Sequence, residues 1–368
     1  MERVKIAMIG VGAISGIYLQ NITGRFQELE LVGVCDLVRE RAEKARRDYG
    51  IAKVYDSMYD AFSDPEVEVV LNLTRPYEHY GVTSEALKAG KHVYSEKPLG
   101  ASYEEGKALV QLAQEKGLML GGAPDTFLGA GIQTCRKLID SGFIGQPIGA
   151  SCSMICRGHE SWHPDPDFYY QYGGGPMMDM GPYYVTALIN LLGGVCGVTG
   201  VVMTPFPQRV ITSQPKSGQV IQVETPTYVT GILHFDSGAV ANLFTTFDVY
   251  YSQQARFEVY GSEGTLFVPD PNTFGGPVML LRPEEGEARQ VPLTFGYSEN
   301  SRGLGLADMA KALRTGRASR ESWRQTLHVL EILTAFEKSS QTGSYLPLET
   351  HYERGAAMAN GPVRGILD

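Results

Sequence analysis

Long apolar runs are missing from this 368-residue chain. The longest, such as residues 67–73, are far too short to cross a bilayer, so no membrane is expected as a partner. Positive charge is short as well. Lys and Arg number 32 against 41 Asp and Glu, a net charge of −9, which works against nucleic acid and anionic membrane surfaces. The opening MERVKIAMIG lacks a secretory-signal layout, because its apolar stretch runs straight into a glycine turn. Cysteine is scarce: five residues, an odd number, lie scattered along the chain. That argues against a disulfide framework and for free thiols in a reducing cytoplasm. No low-complexity segment and no repeat period is visible. What is present is ordinary for a soluble domain: 43% hydrophobic and 20% charged residues, with length for two domains or one large one.

The first 122 residues alternate strand and helix signals. Residues 4–9 are β-branched, 13–26 have helical spacing, and 29–35 are apolar up to Asp36. A charged amphipathic helix is predicted over 38–49, stopped by Gly50. Residues 67–73 read as a strand buried on both faces. A helix over 78–89 stops at Gly90, and 93–95 is a strand. Ser102 and Glu105 predict a capping box that opens a helix running to about 116, before a last short strand at 118–120. Repeated βα units predict a parallel sheet with helices on both faces.

Near residue 123 the pattern changes. A helix over 127–140 leads to a stretch rich in Gly, Pro and aromatics, then to a helix over 176–192. Strands at 227–235 and 239–247 flank the hairpin signal Asp236-Ser237-Gly238. Strands at 256–260, 265–268 and 278–282 follow, then helices over 304–314 and 322–339. The fold class is α/β, with a parallel-sheet domain over 1–123 and an α+β domain over 124–368 built on a mostly antiparallel sheet.

Gly10-Val11-Gly12-Ala13-Ile14-Ser15 follows the first strand and opens the first helix. Gly10 permits a tight turn, Gly12 lets a pyrophosphate approach the backbone, and a small residue at 15 lets helix and strand pack closely. The helix N-terminus offers N–H groups to phosphate. Asp36, at the end of the second strand, suits the two ribose hydroxyls and repels a 2′-phosphate, which favours NAD over NADP. Arg39 and Arg41 lie close enough to soften that preference. The third junction, with Thr74 and Pro76, is expected beside the cofactor; His79 reads either as a cofactor neighbour or as an ordinary helix-start histidine.

SEKPLG, residues 95–100, puts Glu96 and Lys97 where a strand runs out. Ligands of a doubly wound sheet bind beyond such strand ends. A desolvated lysine held by a carboxylate can exchange a proton with a reacting hydroxyl. A solvated loop end is the alternative.

Taken together, GVGAISGIYLQN, SEKPLG and GGGPMMDMGPYYVTAL (173–188) resemble the Gfo/Idh/MocA oxidoreductases over nearly the whole chain. The resemblance implies a Rossmann-type nucleotide domain and a C-terminal domain with a large open-faced sheet. It implies NAD(P)-dependent oxidation or reduction of a hydroxyl or ketone, mostly on sugars, cyclitols and their derivatives. Carried over residue by residue, Lys97 is the catalytic lysine, Asp179 the helix carboxylate and Tyr183 the second acid/base position. Many members carry histidine four residues after the aspartate; this chain carries tyrosine, as a sugar–sugar oxidoreductase branch and some ketoreductases do. Spaced i, i+4, Asp179 and Tyr183 are expected on one helix face. A tyrosine of pKa ~10 donates better than it accepts at neutral pH, which favours ketone reduction, or Lys97 as principal acid/base with Tyr183 orienting. Packing against the sheet is the alternative for Tyr183.

Residues 157–173, RGHESWHPDPDFYYQYG, crowd histidines, acids and aromatics into one loop. Sugars offer C–H faces and hydroxyls that suit such walls, so His159, Trp162 and His163 are expected to bind substrate, with Lys97, Asp179 and Tyr183. A surface loop pinned by aromatic packing is the competing reading. Cys152, Cys156, His159 and His163 lack the spacing of a metal site, so no metal is expected. The expectation is a cytoplasmic NAD-dependent sugar, glycoside or cyclitol dehydrogenase, paired as a homodimer or homotetramer through the exposed sheet face. Its rivals are an NAD-dependent glycoside-cleaving enzyme working by transient oxidation and elimination, and a non-catalytic NAD- and sugar-binding sensor.

Overall fold

The computed structural model describes residues 2–254, 256–359 and 367. The chain forms two compact units. One gathers Met1–Ala130, Thr294–Leu327 and Ala356–Asp368; the other gathers Gly131–Leu293 and His328–Gly355. The change of pattern near 123 thus lies inside the first unit, which also recruits two later segments.

In the first unit six strands pair in parallel: β1 (Val4–Ile9), β2 (Leu29–Cys35), β3 (Lys53–Val54), β4 (Val69–Asn72), β5 (His92–Ser95) and β6 (Leu120–Gly122). Their order is β3-β2-β1-β4-β5-β6. Helices α1 (Ser15–Gly24), α2 (Arg39–Tyr49), α3 (Met58–Ser63), α4 (His79–Lys88) and α5 (Tyr103–Glu115) make the crossovers. Every residue of β4 is buried, as a strand covered on both faces requires. Gly50 ends α2 at φ +67°, a left-handed cap that glycine adopts without strain. Ser102 Oγ caps α5 by accepting from Glu105 N–H at 3.2 Å, while the Glu105 carboxylate accepts from Ala101 N–H at 2.7 Å.

Register aligns the strand ends. Ile9 lies opposite both Cys35 and Asn72, Asn72 opposite Ser95, and Ser95 opposite Gly122. The ladder closes just beyond them: Gly10 N–H donates to Cys35 O, Leu73 N–H to Ile9 O and Glu96 N–H to Asn72 O, each at 2.8 Å. Whatever follows each strand therefore emerges along one edge of the sheet.

The second unit contains α6 (Ala130–Asp140), β7 (Pro147–Ile155), α7 (Gly175–Asp179), α8 (Gly181–Leu192), β8 (Val195–Met203), β9 (Gln208–Val210), β10 (Val220–Gln222), β11 (Tyr228–Phe235), β12 (Val240–Thr246), β13 (Phe257–Gly261), β14 (Gly264–Phe267), β15 (Val278–Leu281), β16 (Arg289–Val291) and β17 (Leu346–Pro347). Nine strands form one sheet, β16-β15-β14-β13-β7-β12-β11-β8-β17, antiparallel except where β12 pairs in parallel with β7. β9 and β10 form a separate two-stranded ribbon. Along β8 and β12 exposed residues alternate with buried ones, so one face is covered and the other presents Val201, Met203 and Val240. Every residue of α8 is buried. At roughly 1.5–3 kcal/mol for each large apolar side chain, Leu188, Ile189 and Leu191 make α8 a main contributor to this core. Among the described residues no helix is long and apolar enough to cross a membrane.

Candidate active site

The glycine turn is built as its sequence requires. Gly10 sits at φ +96°, and a β-carbon there would lie 2.7 Å from Leu73 O. A β-carbon on Gly12 would meet nothing within 4 Å, so the backbone beside it, running into Ala13 and Ile14, is open to a ligand. No side chain caps α1 and no acid lies in its first turn, which suits its N–H groups to phosphate. Asp36 accepts from Val11 N–H at 2.6 Å and from Val38 N–H at 2.8 Å, tying the end of β2 to the turn. These residues fit a bound dinucleotide: open backbone at the turn, an uncapped helix and a fixed carboxylate at the next strand end. Arg39 is engaged with Glu43 and Asp56.

Beyond β4 and β5 a second set of bonds fixes two loops. Asn72, fully buried, accepts from Thr74 N–H and from Thr74 Oγ1, and donates to His79 O and Thr83 Oγ1. His79 is 1% exposed, with Nδ1 2.6 Å from Pro98 O and Nε2 3.1 Å from Thr74 O. Burial holds its pKa below the ordinary histidine value, although both carbonyls favour the cation. The ring therefore joins the loop of Thr74 and Pro76 to the loop of Lys97. Glu96 is also buried: Tyr18 OH donates to Oε1 at 2.8 Å and Lys97 N–H to Oε2 at 3.0 Å. Burial, with the Glu96 charge beside it, pushes the Tyr18 hydroxyl well above its ordinary pKa and keeps it a donor. The Glu96 carboxylate thus fixes the Lys97 backbone, and Lys97 itself is half-buried.

In the second unit His159 and Asp179 come together, with Nε2 3.6 Å from Oδ2. The His159 ring stacks on Tyr169 at 3.8 Å and meets Trp162 at 5.3 Å and Phe247 at 4.7 Å. His163 packs edge-on against Trp162, and its Nδ1 accepts from Asp165 N–H at 3.0 Å. Trp162 is 62% exposed. The expected single helix carrying Asp179 and Tyr183 is broken at Met180. Pro182 has no N–H to give to residue 178, so the ladder cannot run through, and α8 restarts with Tyr183 N–H on Met180 O at 3.1 Å. Tyr183 is buried at the start of α8. Among the described residues no group of three or more His, Cys, Asp or Glu could hold a metal ion.

Sequence reading gave no role to Tyr18 or Arg209 and named Asn72 only as the start of the third junction. Asn72 carries a legible signal, a polar residue closing an apolar strand; Tyr18 and Arg209 have partners 78 and 49 residues away and carry none.

Comparison with known proteins agrees with this architecture. A model described as "Oxidoreductase family, NAD-binding Rossmann fold" matches residues 4–122, and one described as "GFO/IDH/MocA C-terminal domain" matches residues 132–267. The chain is 27% identical over 271 residues to scyllo-inositol 2-dehydrogenase (NAD(+)) of Bacillus subtilis, covering 73% of this chain and 74% of that protein. It is 29% identical over 270 residues to 1,5-anhydro-D-fructose reductase of Ensifer adhaerens, covering 72% and 75%. In fold it is similar to levoglucosan dehydrogenase solved with NADH and levoglucosan, at TM-score 0.80 and 21% identity, over 94% of this chain and 99% of that one.

Proposed function

The chain belongs to the Gfo/Idh/MocA oxidoreductases, and from that premise we propose that it oxidises a carbinol carbon of a sugar, glycoside or cyclitol, with NAD as acceptor. The observation that carries the reading is the strand register, which delivers Gly10, Asp36, Thr74 and Lys97 to one edge of one sheet. Bound NAD supplies a two-electron acceptor. The backbone from Gly10 to Ile14 takes its pyrophosphate, Asp36 takes ribose hydroxyls, and Thr74, Pro76 and Glu96 shape the wall beside it. His79 serves that wall from its place between the carbonyls of Pro98 and Thr74, with one N–H to donate. Asp36 disfavours a 2′-phosphate, and Arg39, engaged with two acids, gives such a phosphate no ready partner. Lys97 takes the proton of the reacting hydroxyl. Asp179 and Tyr183 hold that oxygen. His159, Trp162 and His163 bind the rest of the polyol.

The test is NADH absorbance with NAD and a panel of inositols, sugars and glycosides. At least one is expected to yield NADH; an inert wild type would end the proposal. Lys97→Ala is expected to keep the wild-type Kd for NAD and to lose turnover by ~10³-fold, within the range for a positioned acid/base. A near-native rate would remove the lysine from the chemistry. Glycoside cleavage without accumulated NADH would indicate transient oxidation and elimination instead. The reading also includes a reducing cytoplasm, suited to five free thiols, and a homodimer or homotetramer through the outward sheet face, which sedimentation would check.

A further inference from the structure

The β9–β10 ribbon has no part in the reading above, yet it carries a buried cation. We propose that Arg209 is the positioning residue of the substrate side, fixing the loop that bears His159 and thereby the affinity for polyol. The inference rests on the proposed polyol oxidation and extends it to a residue outside the acid/base set.

The Arg209 side chain is 2% exposed. Its Nη1 donates to Glu160 Oε1 at 2.8 Å, and its Nη2 donates to Phe247 O at 2.7 Å and to Asp248 Oδ1 at 2.5 Å. One guanidinium thus joins three segments: the aromatic loop, the end of β12 and its own ribbon. Each anchor is held in turn. The other Glu160 oxygen accepts from Tyr170 OH, and that hydroxyl accepts from His159 N–H at 3.3 Å. Asp248 Oδ2 accepts from Thr227 Oγ1 at 2.8 Å. The His159 ring rests against Phe247, the residue whose carbonyl Arg209 holds. The backbone N–H, the next residue and the ring wall of His159 therefore all lead back to one side chain.

The residue type matters. A planar fork donates in two directions at once and stays charged. It faces two carboxylates, Glu160 and Asp248, whose side chains are 13% and 4% exposed. Lysine would keep the charge but, as a point donor, would not span both the loop and the strand end.

Arg209→Lys in the full chain tests this. KM for an oxidised polyol is expected to rise tenfold or more while KM for NAD stays within twofold. Amide hydrogen exchange is expected to accelerate over residues 157–171 and to stay unchanged over 4–122. A polyol KM within twofold of wild type, a parallel rise in KM for NAD, or unchanged exchange over 157–171 would each overturn the proposal. Should Arg209→Lys fail to fold, Glu160→Gln carries the same test. It leaves an amide oxygen for Nη1 but removes the charge and the second oxygen, which accepts from Tyr170 OH, with a fivefold rise in polyol KM expected. The exchange arm needs no substrate, so it judges Arg209 even where an inert wild type has defeated polyol oxidation itself.

Discussion

The turn at residues 10–15 and the loop at residues 157–170 are held by different means. The turn is shaped by its own glycine, by backbone bonds to the neighbouring strand ends and by one side chain, Asp36, which accepts from Val11 N–H. The loop is shaped from outside. Glu160 O accepts from Thr212 and Ser213 N–H, His163 O accepts from Ser213 Oγ at 2.5 Å, and Lys216 pairs with Asp165 at 2.5 Å and Asp167 at 2.7 Å. Those side-chain bonds join residues 49 to 51 apart in the chain. A locally encoded turn needs the right few residues in a row. A remotely held loop needs a second element to be in place first.

Gly10→Ala strikes the local device hardest. At φ +96°, with Leu73 O 2.7 Å from the new β-carbon, the backbone has no flexible neighbour to displace. A left-handed alanine costs ~1–2 kcal/mol and overpacking ~1–3, so about 4 kcal/mol of stability and at least tenfold in NAD affinity are expected to go. Urea unfolding and NAD titration read both. An unchanged midpoint would mean that the glycine does not set the turn.

Asp125 sharpens the comparison, because the first unit has a remote anchor too. Its carboxylate accepts from Gly303 N–H at 2.8 Å and Gly305 N–H at 3.1 Å, at the start of the helix Leu304–Thr315. Burial, with Glu96 adding repulsion, lifts its pKa from 3.8 to about 6. The folded carboxyl therefore holds its proton more firmly than the unfolded one. Its contribution to stability is full below pH about 4 and is lost as pH rises to about 6, by up to ~3 kcal/mol at 1.36 per pH unit. Asp125→Asn keeps an oxygen for both glycines and lacks that loss. Relative to wild type, the variant is expected to gain ~3 kcal/mol in urea unfolding between pH 4 and 7; parallel pH curves would contradict the assignment.

The smallest effect is expected from Lys216→Ala. Its ion pairs are about one-third exposed, worth under ~1 kcal/mol. Tm should fall by about 2 °C, with NAD affinity unchanged. A larger fall would make this pair, rather than Arg209, the main anchor of the loop.

The same division explains how much could be read from the sequence. The parallel sheet, Gly10, Gly50 and the Ser102 cap are encoded within a few residues, and all were legible. β8 was not, because Gly197 and Gly200 interrupt its apolar alternation. Both glycines are there for packing: a β-carbon at 197 would lie 2.1 Å from Tyr345 Oη, and one at 200 would lie 2.8 Å from Phe336 O. β3 and the β9–β10 ribbon are too short to show a period. The break at Met180 was readable from Gly181-Pro182, but the i, i+4 spacing of Asp179 and Tyr183 drew the expectation of one continuous helix. Arg209 was out of reach, since its partners lie in other segments.

Deuterium transfer tests the central claim most directly. A polyol deuterated at each carbinol carbon in turn is incubated with enzyme and NAD, and the recovered reduced nucleotide is weighed by mass spectrometry. Deuterium in that nucleotide from one labelled position, and from no other, is the predicted result. Substrate consumed with no deuterium in the nucleotide from any position would contradict the account.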